Sequence, residues 1–289
     1  MCGRYASARK RIELLEEFGV QRDAVTEPLQ PDYNVAPTKP VYAVLERAGD
    51  RGADPASSAV RADEAAAQPE SAARELRVLR WGLVPFWAKD PKIGGRMINA
   101  RVETVADKPA FRHAFAKRRC LLPADGYYEW QAQPDAAKQP MYISPRDGRP
   151  LAFAGLYELW RDRAVASDDP DAWLWTATII TTSAPDELGV IHDRMPMIID
   201  AERWADWLAP DSSDPADLRA LLVPAAVSGL QAYPVSTQVN AVRNNGPQLI
   251  EPLAGPLIPV PAAPRAAAGA QLRTAGTASN GDDGAQALF

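Results

Sequence analysis

Cysteine and histidine are both scarce here, at two each in 289 residues, and that scarcity removes whole classes of chemistry. Cys2 and Cys120 cannot build a disulfide framework, and with only His113 and His192 beside them no zinc-ligand spacing forms. A reduced compartment follows, with neither a metal nor any other cofactor expected. No run approaches the roughly 20 apolar residues that a membrane helix needs, and no basic segment leads into an apolar stretch at the start. The chain therefore reads as soluble and cytoplasmic, without a membrane partner. An excess of positive charge is missing too. Lys and Arg number 32 against 37 Asp and Glu, a net charge of -5, which ordinarily argues against nucleic acid as a partner.

That charge is unevenly spread. Residues 50–75 are rich in Ala, Ser, Pro and acid and lack both aromatics and apolar periodicity, the composition of a disordered insertion. They hold six acids (Asp50, Asp54, Asp63, Glu64, Glu70, Glu75) and three Arg (Arg51, Arg61, Arg74), so the rest of the chain is nearly neutral. From about residue 256 the sequence again holds too few large apolar residues to fold. One domain is expected over residues 1–255, interrupted at 50–75 and followed by a disordered tail at 256–289. Whether insertion or tail meets a replication partner is not legible.

The remaining body, 46% hydrophobic over the full chain, is rich in strand signals. Val41–Glu46, Leu76–Trp81, Gly126–Gln131, Pro140–Ser144, Leu151–Trp160 and Trp173–Thr181 are β-branched or aromatic runs punctuated by Pro, Gly and Asp. Helices are fewer. Ser7 can cap a segment carrying Ile12, Leu15 and Phe18 that Gly19 stops; Pro109–Arg119 places Phe111, Ala114 and Phe115 on one face; Asp200 can cap a helix with Trp204, Trp207 and Leu208. Strands do not alternate regularly with helices, which disfavours a doubly wound parallel sheet. The expected fold class is α+β: a mostly antiparallel, curled or barrel-like sheet with peripheral helices.

The start, MCGRYA, holds the most specific chemistry. A small second residue generally allows removal of Met1, and Cys2 would then carry an α-amine and a thiol on one carbon. Four further stretches set polar groups in apolar surroundings: YNVAPT (33–38), MINARVET (97–104), DGYYEW (125–130) and IHDRMPMII (191–199). Glu129, among Tyr127, Tyr128 and Trp130, would gain a raised pKa by desolvation and suit proton transfer; on its strand pattern alone it reads rather as a solvent-facing residue. A lone His192 is more often a satisfied structural donor than a catalyst, and Asn99 can simply close a turn.

Taken together and in order, MCGRY, YNVAPT, WGLVPFWA, INARVET, ADGYYEW, HDRMP and PVSTQVNAVRNNGPQLIEP resemble the motifs of the SOS-response-associated peptidase family, over the whole of the ordered body. The resemblance implies catalytic roles for Cys2, Asn99, Glu129 and His192, and DNA contacts for Arg4, Trp81, Arg101, Trp130 and Arg194. Insertion and tail depart from the pattern without touching a motif. The implied activity is recognition of abasic sites in single-stranded DNA, by a monomer associated with the nucleoid, and covalent crosslinking to them.

The residues fit that chemistry. An unperturbed α-amine titrates near 7.7–8, against about 10.4 for lysine, so at cellular pH it is substantially neutral and condenses with the aldehyde of an opened abasic sugar. The neighbouring thiol then closes a thiazolidine ring, helped by intramolecular geometry; an imine intermediate would also permit weak strand cleavage. Two other classes stay open: a cysteine peptidase or N-terminal-nucleophile amidohydrolase limited to self-processing, with His192 as base, and a non-catalytic single-stranded DNA reader with Trp81 and Trp130 as stacking platforms.

Overall fold

The computed structural model of the chain describes residues 2–47, 73–166, 169–225 and 227–253. Its strands are β1 (Tyr5–Ser7), β2 (Arg22–Asp23), β3 (Asp32–Val35), β4 (Pro40–Arg47), β5 (Ala73–Trp81), β6 (Asn99–Arg101), β7 (Arg119–Ala124), β8 (Gly126–Gln133), β9 (Ala136–Pro145), β10 (Leu151–Arg161), β11 (Trp173–Ser183), β12 (Arg194–Pro196) and β13 (Leu230–Pro234). Its helices are α1 (Arg11–Glu17), α2 (Arg112–Lys117), α3 (Asp186–Gly189), α4 (Trp204–Leu208) and α5 (Pro215–Leu221), with short 3-10 turns between. The fold is α+β and mostly antiparallel, as expected from the sequence.

Strands β11, β10, β7, β4 and β5 lie side by side with antiparallel neighbours, and a short parallel pairing of Arg80 with Thr176 and Trp81 with Ala177 joins β5 back to β11. The sheet thus closes on itself as a five-stranded barrel. Alternate side chains point to opposite faces of a strand, and here both faces are covered. Val41, Ala43, Leu45, Leu79, Trp81, Leu122, Phe153 and Ile179 fill the inside, while Tyr42, Val44, Leu76, Leu121, Ala154, Leu156 and Ile180 pack outward under α1, α2, α4 and α5. Double coverage explains why LAFAGLYELW and WLWTATIIT read as nearly continuous apolar runs. One end of the barrel is capped by the antiparallel sheet β13-β9-β8-β1-β3, whose inner face adds Tyr5, Tyr127, Met141 and Ile143 to the same core. Its outer face carries Ala6, Tyr128, Tyr142 and Tyr233 beneath Val235, Val239 and Ile250.

The segment between β5 and β6 sets up the site. Both strands pair in parallel with β11, end to end: Trp81 opposite Ala177, then Asn99 opposite Ile179. Residues 82–98 leave the sheet between those points and return, with Gly82 N–H on Ala177 O at 2.7 Å and Ile179 N–H on Ile98 O at 3.1 Å. The legs of this excursion touch at Gly82 and Gly94. A Cβ on Gly94 would sit 2.4 Å from Gly82 O, and Gly82 itself has φ +124°, so neither position admits a side chain.

Two helix expectations shift. Ser7 closes β1 rather than capping a helix; α1 starts after Lys10, where the Glu13 carboxylate accepts from the Lys10 backbone N–H in a capping-box arrangement. The 109–119 helix is only Arg112–Lys117 long because Arg119 enters β7. There its buried guanidinium donates to five carbonyls, Trp207 O, Phe115 O, Ala116 O, Ala209 O and Ser212 O, at 2.5–3.1 Å. Asp200 does stand at the start of the turn leading into α4, but no side-chain cap hydrogen bond forms; its carboxylate meets Arg203 at 3.1 Å. The expected insertion lies outside the described residues except for 73–75, which belong to β5 and pair with Leu45, Glu46 and Arg47. The expected tail at 256–289 lies outside them entirely. No helix among the described residues is long and apolar enough to cross a membrane.

Candidate active site

Four separate elements bring the expected catalytic residues to one end of the barrel. The antiparallel pairing of β1 with β8, Tyr5 opposite Tyr127 and Ala6 opposite Gly126, carries the residues before β1 alongside Glu129. Arg4 O accepts from Tyr128 N–H at 3.0 Å and extends this ladder. Asn99 opens β6, and His192 lies in the loop between α3 and β12. Cys2 is fully buried, and its carbonyl accepts from Asn99 Nδ2 at 2.8 Å. The other end of that amide, Asn99 Oδ1, is buried and accepts nothing among the described residues. An acceptor in that position is a seat for an N–H donor.

Glu129 is 4% exposed and faces inward. Burial raises its carboxyl from 4.5 to about 7, and Asp193 adds to the rise, which leaves the acid and its conjugate base both available near neutral pH. Burial also pushes the Cys2 thiol well above its ordinary value, with Glu129 adding to the effect and a backbone hydrogen bond from Arg4 opposing it. The resting sulfur is therefore a thiol. His192 Nε2 stands 4.0 Å from Glu129 Oε2. Its Nδ1 lies 3.0 Å from Arg194 N–H and 2.9 Å from Asp193 Oδ1, contacts that ask for opposite protonation of that nitrogen. The backbone donor is fixed in place, whereas the Asp193 side chain is 86% exposed and free to turn away. Burial further lowers the His192 pKa. The neutral ring with its proton on Nε2, directed toward Glu129, is the consistent state.

A cavity of about 10 Å³, room for one water-sized body, lies against Tyr127, Glu129, His192, Arg194 and Met195. The expected DNA contacts divide. Arg194 lines this cavity, and Arg101, on β6, is exposed. Trp130 is half-buried on the outer face of the capping sheet, its indole N–H on Asn240 Oδ1 at 2.7 Å and the Arg4 guanidinium 5.8 Å from its ring centre. Arg4 is largely spent inside the fold, donating to Asn34 Oδ1 at 2.7 Å and Val239 O at 2.8 Å.

Trp81 is a correction. Its side chain is fully buried, with its N–H on Ile98 O at 2.9 Å and its ring edge against Tyr5, so no face is open to a base. The solvent-facing rings of WGLVPFWA are Phe86 and Trp87, about half exposed on the 82–98 excursion. Sequence reasoning also passed over Asn34 in YNVAPT. It is fully buried, and its amide donates to Val239 O, Ala241 O and Asn244 O at 3.3, 3.1 and 2.9 Å, which ties β3 to the segment holding Asn240.

The model of the family described as SOS response associated peptidase (SRAP) matches residues 1–242. The chain belongs to the SRAP family. It is 38% identical over 251 residues to the abasic site processing protein YoqW of Bacillus subtilis, covering 87% of this chain and 99% of that one. To the abasic site processing protein YedK of Escherichia coli it is 31% identical over 260 residues, 88% of this SRAP chain and all of the other. Among solved structures, a protein from Bacteroides thetaiotaomicron superposes with a TM-score of 0.67 at 26% identity, covering 87% of this chain and 100% of that one.

Proposed function

We propose that this protein processes abasic sites in single-stranded DNA by forming a thiazolidine crosslink through Cys2 once Met1 is removed, shielding the lesion during the response to DNA damage. One observation carries the reading: Cys2 is buried beside a carboxyl titrating near 7, with Asn99 Nδ2 on its own carbonyl and Asn99 Oδ1 still open to a donor. A peptidase nucleophile needs only the sulfur. An arrangement that grips the residue's backbone suits a reaction in which the α-nitrogen takes part as well.

The steps balance as follows. The neutral α-amine, accepted by Asn99 Oδ1, adds to the aldehyde of the opened sugar. Protonated Glu129 gives its proton to the resulting hydroxyl, water leaves, and an iminium remains. The Glu129 carboxylate then takes the proton from Cys2 Sγ as sulfur attacks the iminium carbon. A five-membered ring of S, Cβ, Cα, N and the sugar carbon closes, one water has been lost, and Glu129 is protonated again. Electrostatic help from a buried acid with matched pKa is of the usual general-acid magnitude, about 10²–10⁴-fold. His192 donates from Nε2 to a sugar oxygen and favours the open form. Arg101 and Arg194 hold phosphates, and Trp130 offers a stacking face. Names borne by the relatives, abasic site processing proteins at 31% and 38% identity, support the same substrate.

Three variants incubated with a single-stranded oligonucleotide bearing one abasic site test this. Cys2→Ser should give no adduct that survives heating in denaturant. Cys2→Ala, which keeps the amine, should give an adduct only with a borohydride trap, together with slow strand nicking. A protein made to retain Met1 should give none. A stable adduct from the Met1-retaining protein would overturn the aminothiol reading in favour of a nucleophile that needs the thiol alone.

A further inference from the structure

Arg194 lines the site cavity, yet its guanidinium is already occupied. NH1 lies 2.5 Å from Glu103 Oε1 and NH2 3.1 Å from Glu103 Oε2, a two-pronged pairing of the geometry with which arginine also takes phosphate. NH2 donates as well to Thr181 O at 2.7 Å, and Nε is buried with no acceptor among the described residues. An arriving phosphate cannot take both terminal nitrogens while all these contacts persist. Thr181 O belongs to the β11 backbone and cannot leave. The Glu103 side chain is 49% exposed against 13% for Arg194 and sits in the turn just after β6, so it is the partner able to swing out.

We propose that Glu103 occupies the phosphate seat of Arg194 in the DNA-free protein and is displaced by a phosphate of the bound strand. The inference rests on Arg194 being a DNA contact, as read above. Glu103 then sets how tightly a single strand is held. Every strand that binds must first give up this ion pair, which lowers affinity for any single strand; only a strand that goes on to react at Cys2 recovers the loss irreversibly. The opposite role, a brace that keeps Arg194 aimed at the strand, predicts the reverse effect of removing it.

The test measures equilibrium binding of a single-stranded oligonucleotide carrying a tetrahydrofuran abasic analogue, which cannot open to an aldehyde and so separates binding from chemistry. Glu103→Gln and Glu103→Ala should each tighten binding about threefold to fivefold, the range of an exposed ion pair. The crosslinking rate at saturating abasic DNA should stay within twofold of the parent. In an Arg194→Gln background the Glu103 effect should vanish, because no guanidinium remains to be freed. Binding by both Glu103 variants that is unchanged or weaker, with melting temperatures kept, overturns the seat and supports the brace. Arg194→Gln that binds as well as the parent overturns instead the assignment of Arg194 as a phosphate contact.

Discussion

Glu129→Gln separates the cost of the site to the fold from its benefit to the chemistry. In the folded protein burial holds the Glu129 carboxyl at about 7 instead of 4.5, so the folded state binds that proton more tightly than the unfolded chain does. The sign follows from linkage: the contribution to stability is fully present below about pH 4.5 and is lost as pH rises through 7. At 1.36 kcal/mol per unit, the loss amounts to at most about 3 kcal/mol by pH 8. Glutamine does not titrate, and its fixed differences in hydrogen bonding are the same at every pH. Urea unfolding of the parent and of Glu129→Gln at pH 5, 6, 7 and 8 should therefore show the variant gaining on the parent by about 2–3 kcal/mol across the series. The corresponding melting temperatures should diverge by roughly 2–4 °C per kcal/mol. Over the same series the variant's crosslinking should be slower by about 10²-fold or more. A stability difference that stays flat with pH would refute the raised carboxyl, and with it the acid–base role given to Glu129.

Other substitutions probe other layers. Trp81→Ala should cost about 3–5 kcal/mol of stability, as loss of a fully buried aromatic does, whereas Trp130→Ala should leave the melting temperature within a few degrees and weaken single-strand binding by about 1–3 kcal/mol; exchange of those two outcomes would return Trp81 to the DNA face. Arg119→Met strips donors from five carbonyls and should destabilise by about 3 kcal/mol or more, read by urea unfolding, with crosslinking unchanged in the folded fraction. Iodoacetamide at pH 8 should label Cys2 far more slowly in the native protein than in urea, because the buried sulfur is held as a thiol; equal rates would mean an exposed thiolate. The ¹⁵N spectrum of the His192 ring at pH 7 should show an unprotonated Nδ1 and a protonated Nε2, and a doubly protonated ring would contradict its assigned role as a neutral donor.

The α+β class and the six long strands were readable because β-branched and aromatic runs between turn residues are a local signal. A curled or barrel-like sheet was expected as well, but not the pairing that closes it. Closure depends on two parallel residue pairs between β5 and β11, nearly a hundred positions apart, which no local pattern encodes. Glu129 shows the same limit at one residue: alternation along β8 left it pointing either to solvent or to the core. Ambiguity arose because Tyr128 on the outer face is also buried, under the segment Val235–Ile250, and burial on both faces erases the period-2 contrast. Trp81 was set at the DNA by the family resemblance, and a tryptophan reads alike in sequence whether its ring stacks on a base or lies edge-on to Tyr5. Arg4, a DNA contact by the same resemblance, is largely spent on Asn34 and Val239. Asn34 itself left no trace beyond its motif, because three of its four side-chain hydrogen bonds go to carbonyls more than two hundred residues away.

The central claim is that nitrogen and sulfur of one residue both end up bonded to the same sugar carbon. Intact-mass analysis of the protein after reaction with an abasic oligonucleotide, without reductant and after heating in denaturant, tests it most directly. The predicted mass is that of the chain lacking Met1, plus the DNA, less one water. Contradiction would take the form of an adduct that still contains Met1, or one that appears only after borohydride, as a simple imine would.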